Sequence, residues 1–290
     1  MGIKLNIGDT WKDVPAASNV KINLGDEWKI AKNVYINIGD VWKDCFISRF
    51  IGGSGKGDTS FFNDSDGKLW GWGNSNYGQI GGNEVTCRST PIAVWGTHTF
   101  CYVTAGIAHC LGLDSNGKAW AWGFNTSGQI GDNTNVSKRT PVAVCGAHTF
   151  CYISVGVFHS IGIDNHGKAW GWGYNNYGNI GNNSVVCKLT PVAIYGNHTF
   201  CTAITKGNYG SVGMDIHGKV WSWGYNGHGE LGDNSVSNRS TPVALCGGHT
   251  FCQIMEGPYS SIGTDNHGKA WAWGYNAYGQ LGDNSITSRR

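Results

Sequence analysis

Histidine recurs at one repeat position of the chain and is the first candidate for metal chemistry. The copies are spaced about one repeat apart, at His98, His148, His198 and His249. A zinc ion needs three or four ligands close together, and one imidazole per repeat spreads them too widely. We therefore interpret these histidines as turn residues that bond to the backbone, and we expect no metal.

Aspartate also recurs, in the pattern Asp-x-x-Gly-Lys. The copies are Asp64, Asp114, Asp164, Asp215 and Asp265. The first copy is similar to the start of a calcium loop but lacks the downstream glutamate of that loop. An Asp that can bond its own backbone, followed by Gly, is typical of a tight turn. We interpret the pattern as hairpin turns and expect no cofactor.

The lysines that follow these turns form a second recurring set, and we expect them in one ring opposite the long loops, partly neutralised by the aspartates. They are Lys68, Lys118, Lys168, Lys219 and Lys269.

Ten cysteines are present, and half of them share one repeat position. Because equivalent positions in different repeats lie far apart, we interpret this set as small buried residues. The set is Cys45, Cys101, Cys151, Cys201 and Cys252. Cys145 with Cys151, and Cys246 with Cys252, flank a short turn. For these pairs a disulfide and two free thiols are both open.

Catalytic motifs are missing from the sequence. It contains neither a Gly-x-Ser-x-Gly elbow nor a phosphate loop, and Glu84, Glu230 and Glu256 have no partner carboxylate in the repeat pattern. We therefore expect a non-enzymatic protein. The net charge of +2 without a basic run argues against nucleic-acid partners, and no apolar run is long enough for membrane insertion.

The elements that must carry these residues repeat with a fixed period. A Trp-x-Trp-Gly core begins at Trp70, Trp120, Trp170, Trp221 and Trp271. Apolar alternation between Gly-rich turns fills each unit, which indicates four short strands per repeat. The chain is therefore predicted to be all-β, a β-propeller with about five four-stranded blades. We expect at least one Trp of each core to be largely buried.

One unit, residues 140–189, shows the predicted strand order. Val142 and Val144 lie on a first strand, Phe150 begins a second, residues 159–163 form a third and residues 168–173 a fourth. Residues 174–188 then form a long loop. This order predicts that the strand around Val142 opens a blade.

The N-terminal segment holds three short copies of another pattern, at residues 3–12, 20–29 and 34–43. Each combines apolar alternation with a Gly-Asp turn and predicts a β-hairpin. The third copy aligns without gaps with residues 141–152, so we expect residues 35–47 to close the ring in the last blade. This divides the chain into an anchoring segment, residues 1–33 with Trp11 and Trp28, and a propeller of five repeats, residues 34–290. Because two lone hairpins are marginal in water, we expect residues 1–33 to dock on another chain.

Loop residues vary while the framework repeats. The variable aromatic set that we predict as a binding face is Tyr77, Phe158, Tyr177, Tyr209, His228, Tyr259 and Tyr278. Exposed aromatic residues on loops suit protein or glycan recognition. Unconstrained variation explains the same pattern, and the two explanations stay open.

The repeat resembles that of the regulator of chromosome condensation family, the propeller of the Ran exchange factor. The resemblance rests on residues 117–133, from Gly117-Lys118-Ala119-Trp120 to Gly131-Asp132-Asn133, and on Thr140-Pro141. It implies a propeller fold. The family includes an exchange factor, ubiquitin-ligase subunits, a plant light receptor and an enzyme inhibitor, and it usually has seven blades. The N-terminal copies resemble short modules of bacteriophage tail and other virion proteins.

Three functional hypotheses follow. The first is a phage tail or fibre component, located in the virion after assembly in the host cytoplasm, whose loop face contacts a host-surface protein or glycan, another virion subunit or a second copy of this chain. The alternative is a cytoplasmic adaptor or inhibitor that binds a partner protein. An exchange factor is the third.

Overall fold

The computed structural model describes two parts of the chain. Between residues 3 and 44 it describes strands by their backbone, and from residue 58 to 290 it describes all but residues 65, 66, 207 and 208, with the backbone alone at Ile204 and Lys206. All regular elements in these ranges are β-strands. Within them, no helix is present that could cross a membrane.

Two compact units are distinguished, Met1–Arg49 and Phe50–Arg290. The first contains the three predicted hairpins, each an antiparallel sheet of two strands. The pairs are β1 (Ile3–Ile7) with β2 (Thr10–Val14), β3 (Lys21–Leu24) with β4 (Glu27–Ile30), and β5 (Tyr35–Ile38) with β6 (Val41–Asp44). The side chains of Trp11 and Trp28 lie outside the described residues.

The second unit is a succession of five antiparallel sheets, which are the blades. The first blade has β7 (Thr59–Asn63), β8 (Leu69–Gly73) and β9 (Arg88–Ala93). The second has β10 (Phe100–Ala105), β11 (His109–Asp114), β12 (Ala119–Gly123) and β13 (Lys138–Ala143).

The third blade has β14 (Phe150–Val155), β15 (His159–Asp164), β16 (Ala169–Gly173) and β17 (Lys188–Ala193). The fourth has β18 (Phe200–Lys206), β19 (Gly210–Asp215), β20 (Val220–Gly224) and β21 (Arg239–Ala244). The fifth has β22 (Phe251–Glu256), β23 (Ser260–Asp265) and β24 (Ala270–Gly274). The prediction of an all-β propeller with about five blades is confirmed.

The blade boundary differs from the predicted one. The strand around Val142 is β13, and it pairs with β12 of the preceding Trp-x-Trp-Gly core, with Val142 opposite Ala121. It therefore completes a blade and does not open one. The physical reason is the long loop, which turns the chain back alongside the strand that it has just left.

The fifth blade ends in the same register as the others. Gly274 forms a bridge with Arg289, as Gly123 pairs with Lys138 and Gly224 with Arg239 where their fourth strands begin. Ring closure by residues 35–47 depends on how the N-terminal unit is placed and on residues 45–47, which lie outside the described residues. Closure stays a prediction.

The core lies between successive blades, and the second Trp of each motif is at its centre. Trp122, Trp172 and Trp223 are fully buried and Trp273 nearly so. In the first repeat, Trp70 and Trp72 are both only partly buried. The loop that covers each buried Trp belongs to the preceding repeat, and the described residues contain no repeat before Trp72.

The shared cysteine position is exposed, so the prediction of small buried residues is wrong. The pairing register of β10 with β11 shifts between Phe100 and Tyr102, which leaves Cys101 on a β-bulge that turns its side chain outward. The bulge recurs in the other described blades, at Cys151, Cys201 and Cys252, all exposed. Cys45 lies outside the described residues. Cys145, Cys151, Cys246 and Cys252 are free thiols.

Removing a central indole tests this packing. Trp172→Ala should lower the free energy of unfolding by about 3–5 kcal/mol, the usual cost of a large-to-small core change. Denaturant unfolding followed by circular dichroism measures it. Val186→Ala, at a side chain that is 62% exposed, is the control. Equal unfolding curves for Trp172→Ala and the wild type would contradict the packing described.

Candidate functional site

The long loops of the second to fifth blades are each folded by one buried asparagine. Asn125 donates from Nδ2 to the carbonyls of Thr134 (3.0 Å) and Val136 (3.1 Å), and its Oδ1 accepts from the N–H of Ile130 (2.9 Å). The same arrangement recurs at Asn175, Asn226 and Asn276. Since these buried bonds fix each loop internally, the loop tips are presented in a preset position.

The loops of the first three blades are also tied to the next blade, at a contact that we call the joint. The carbonyl oxygen of Gln129 accepts from Trp172 Nε1 (2.9 Å) and from Ser160 Oγ (2.9 Å). The carbonyl of Asn179 accepts likewise from Trp223 and Ser211, both at 2.9 Å. The carbonyl of Gln79 accepts from Trp122 at 2.6 Å and from Cys110 Sγ at 3.4 Å. A buried carbonyl and a buried indole are thus satisfied together.

Two buried histidines, absent from our sequence predictions, extend the joints. His109 Nε2 lies 2.9 Å from Ser160 Oγ, and His159 Nε2 lies 2.9 Å from Ser211 Oγ, so each imidazole bridges to the following blade. Burial lowers the pKa of His109 to about 3, which keeps it neutral near pH 7. Both histidines lie at the start of a repeated strand, a position that suggests a structural residue, and nothing in the sequence pointed to a functional role for them.

Six of the seven predicted loop-face residues come together on the last three blades. We define the aromatic arc as the set of rings Phe158, Tyr174, Tyr177, Tyr209, Tyr225, His228, Tyr259, Tyr275 and Tyr278. Neighbouring rings touch along its length: Tyr177 lies 5.0 Å from Tyr209 and 5.3 Å from Tyr225, measured between ring centroids. The seventh predicted residue, Tyr77, stands apart and packs at 4.7 Å on Phe124.

The arc crosses from blade to blade through the loop tips. His228 of the fourth blade lies 4.8 Å from Tyr275 of the fifth, and Tyr275 contacts both Tyr259 and Tyr278 at 6.2 Å. In the second blade the loop tip carries Ser127, which has no aromatic ring, so the arc begins in the third blade. Tyr278 is 87% exposed and Tyr259 38%. The result is a continuous aromatic surface open to solvent.

Three members of the arc, Tyr174, Tyr225 and Tyr275, were missed from the sequence. Each directly follows a Trp-x-Trp-Gly motif, as Phe124 does. An aromatic residue that recurs at this position suggests a structural role in the repeat. The sequence did contain evidence against that role, because the first repeat has Asn74 at the same position and so does not need an aromatic residue there.

The opposite ends of the same strands carry the recurring Asp, Lys and His residues. Asp114 accepts from the backbone N–H of Lys118 and from Trp120 Nε1, both at 3.0 Å, while Gly117 has a φ of 77°. This confirms the Asp-x-x-Gly pattern as a hairpin turn. The hairpin turn lies before β12 and the long loop lies after β12, so the two are at opposite ends of the strand. The lysines follow the turn and are therefore opposite the long loops, as predicted.

The turn histidines have a different contact from the expected backbone bond. The His98 ring lies 3.8 Å from Trp120, and Lys118 Nζ lies 4.7 Å from the centroid of the same indole. The first Trp of the motif thereby contacts both an imidazole and a cation. Burial lowers the pKa of His98, with smaller opposed effects of Asp114 and Lys118. Within the described ranges, no three His, Cys, Asp or Glu side chains are grouped to hold a metal ion.

These blades, joints and loops define an RCC1-like β-propeller. The model of the regulator of chromosome condensation (RCC1) repeat matches residues 66–113, 116–163 and 217–261, and a second model of the same description matches residues 100–129. Over these residues the chain is similar to the RCC1 repeat.

Known proteins agree with this fold. Residues of this chain are 43% identical over 44 positions to the RCC1 domain-containing protein RUG3, mitochondrial, of Arabidopsis thaliana, which is 15% of this chain and 10% of that protein. The structure is similar to human WBSCR16 (TM-score 0.69, 20% identity, 80% of this chain and 63% of that one). It is also similar to yeast RCC1 (Prp20) bound to Kap60 (0.68, 19%, 80% and 57%). The chain thus spans about three fifths of these solved propellers.

The buried His109 makes stability depend on pH. Its folded pKa of about 3 lies below the ordinary 6.5, so the unfolded chain binds the proton first as the pH falls. Lowering the pH from 7 to 5 should therefore cost about 2 kcal/mol of unfolding free energy through this residue. Denaturant unfolding at both values measures the loss.

The variant His109→Gln isolates that contribution, because glutamine can still bond Ser160 but does not titrate. Its loss of stability between pH 7 and pH 5 should be smaller than that of the wild type by about the same 2 kcal/mol. If the wild type and the variant lost equal stability over this range, His109 would not be buried as described.

Proposed function

We propose that this protein is a non-enzymatic β-propeller that binds a partner protein through the aromatic arc and acts as an adaptor or inhibitor. The observation that carries the proposal is the arc itself. It places nine rings from three blades in contact along one solvent-exposed face, on loops whose backbone is fixed by buried asparagines.

The physical chemistry of the arc suits a protein partner. Tyrosine offers a large contact area and a polar tip at low cost in side-chain entropy, and it is enriched among the residues that contribute most to interfaces. Because the rings already pack on one another, they lose less conformational entropy on binding than the same number of separate side chains would lose.

Charged side chains of the loops form ion pairs that stabilise the loops, which supports the proposal that the protein is not an enzyme. Lys138 pairs with Asp132 at 3.0 Å, and Arg239 with Asp233 at 2.8 Å. Each ion pair links an aspartate in the second half of a long loop to the first residue of the strand that follows the loop. Hydrogen bonds from Thr134 and the Lys138 pairing lower the pKa of Asp132 against the effect of its burial.

The similar propellers agree with the choice of partner class. The yeast relative was solved bound to Kap60, and another structure of it, Prp20p of Saccharomyces cerevisiae (TM-score 0.67, 20% identity, 80% of this chain and 60% of that one), is described with its binding to Gsp1p and histones. These partners belong to the yeast protein. They support a protein as the kind of partner for this chain. A cytoplasmic location stays a prediction.

The virion hypothesis depends on other residues. It rests on the N-terminal copies and on Trp11 and Trp28, whose side chains lie outside the described residues. A tail or fibre role, virion location, a host-surface or glycan partner and docking of residues 1–33 stay predictions. The aromatic arc and the similar propellers favour the adaptor or inhibitor.

Site-specific photocrosslinking tests the proposal. Benzoylphenylalanine at position 278, on the arc, should capture one dominant protein in the cell of origin. At position 216 the same group should capture no partner, because Ile216 lies in the hairpin turn at the opposite end of the blade. Ile216 is 61% exposed, so the control position is accessible to solvent.

A second arm ties the capture to the arc. The change Tyr177→Ala removes a ring that contacts Tyr209 and Tyr225, and it should reduce crosslinking at position 278 about tenfold, as for an interface residue of more than 1 kcal/mol. Lys168→Ala, on the opposite face, should leave crosslinking unchanged. Equal capture from positions 278 and 216, or no effect of Tyr177→Ala, would refute the proposal.

A further inference from the structure

The tip of the second long loop lacks a ring, at the point where the aromatic arc stops. This tip carries Ser127, whereas the equivalent residues of the other long loops are aromatic: Tyr77, Tyr177, His228 and Tyr278. We propose that the space beside Ser127, which we call the ring gap, binds an aromatic side chain of the partner protein. The inference rests on the proposed function and deepens it by naming a group through which the loop face recognises its partner.

The backbone of this tip is held in the same way as the backbone of the others. The N–H of Ser127 donates to Gln129 Oε1 (2.9 Å), as the N–H of Tyr77 does to Gln79 Oε1 (2.8 Å). The N–H of Tyr177 donates in the same way to a side-chain amide oxygen two residues on, at 3.2 Å. The second tip therefore has the geometry of its neighbours, and only the aromatic side chain is missing.

The tip rings of the third and fourth loops each lie between two other rings. The Tyr177 ring is 6.3 Å from Tyr174 of its own blade and 5.3 Å from Tyr225 of the next, measured between centroids. The His228 ring is 6.5 Å from Tyr225 and 4.8 Å from Tyr275. A tip ring thus bridges the aromatic residues that follow the Trp-x-Trp-Gly motifs of two successive blades.

The two rings that flank the second tip are present without such a bridge. They are Phe124 of the second blade and Tyr174 of the third. Tyr77 packs on Phe124 from the first blade, and the described rings that contact Tyr174 belong to the third and fourth blades: Phe158, Tyr177 and Tyr209. No ring of the described residues contacts both Phe124 and Tyr174. Both are only half-buried, so a ring from another protein can reach them.

An exposed apolar side chain borders the ring gap. Leu189 begins to cover Gly128, the residue after Ser127, since a Cβ at Gly128 would lie 2.7 Å from Leu189 Cδ2. Leu189 is nevertheless 38% exposed. In the first and third joints the residues that meet the corresponding loop glycine are Arg139 and Ser240. Of these three joints, the second is the one that has both an aliphatic border and no tip ring.

These surroundings favour an aromatic occupant. Aromatic pairs gain stability beyond the area that they bury when their centroids lie about 4.5–7 Å apart, which is the separation of the tip rings and their neighbours in this protein. An inserted ring would meet two such neighbours and would cover the exposed part of Leu189. Protein interfaces are enriched in Tyr, Trp and Phe, so a partner protein has suitable side chains.

An NMR titration of the full isotope-labelled chain tests the ring gap. The probes are the N-acetyl methylamides of phenylalanine and of cyclohexylalanine, whose six-membered ring is saturated. The phenylalanine probe should shift the amide signals of Ser127 and Gly128 in a saturable way, with a Kd about fivefold lower than that of the saturated probe. The amide of Gly78, at the first loop tip where Tyr77 supplies the ring, should not shift.

Two variants change the ring gap without copying anything foreign to the fold. Ser127→Tyr gives the second loop the tip residue of the first and third, so its own ring should fill the gap and abolish the saturable shift of Gly128. Tyr174→Leu removes one flanking ring and should raise the Kd of the phenylalanine probe about fivefold. Ser115→Tyr, in the exposed hairpin turn at the opposite end of the same blade, is the control and should leave binding unchanged.

The outcomes separate this inference from the proposed function. Equal affinity for the two probes, or phenylalanine binding that survives Ser127→Tyr, overturns the ring gap. If Ser127→Tyr leaves crosslinking from position 278 intact, the partner does not use the gap, and this inference is wrong while the protein-binding face stands. If no protein is captured at position 278 while Ser127→Tyr blocks the phenylalanine probe, the proposed function fails and the ring gap stands as an aromatic site.

Discussion

The structure depends on a hydrogen bond between the buried indole of one blade and a loop carbonyl of the blade before it. Trp172 Nε1 meets the Gln129 oxygen at 2.9 Å, and Trp223 meets that of Asn179 at the same distance. An indole N–H and a carbonyl that are both buried are costly unless they are paired. Because the acceptor belongs to the loop, satisfying the core also fixes the loop that carries the aromatic arc.

The joint is not the same between every pair of blades. Between the fourth and fifth blades, Gly210 supplies no imidazole, and Ser261 Oγ donates to Glu256 Oε2 (3.0 Å) within its own blade. Trp273 Nε1 has no acceptor among the described residues, although the indole is nearly buried. This blade pair, which has the least regular joint, carries Tyr278, which is 87% exposed.

The fold could be predicted from the sequence, because the Trp-x-Trp-Gly period and the Gly-rich turns are local features. The blade boundary could not, since the pairing of β13 with β12 depends on where the long loop, residues 124–137, returns the chain. The exposure of Cys101 was missed for a similar reason: the bulge is a property of two paired strands. At the site, the variable residues Tyr177 and Tyr278 could be selected from the sequence, and ring contacts connect them through the arc, whereas Tyr225 was not recognised. Its place in the arc appears only when neighbouring blades are compared in space.

Hydrogen exchange of the indole N–H groups, followed by NMR, tests the central claim most directly. The indoles of Trp122, Trp172 and Trp223 are buried on carbonyls of the preceding blade, and their exchange should be slow, approaching the rate set by global unfolding. The indoles of Trp120, Trp170 and Trp221 are only half-buried and are bonded to turn aspartates, and they should exchange much faster. Equal exchange in the two sets would show that the joints do not hold the blades together, and would contradict this account.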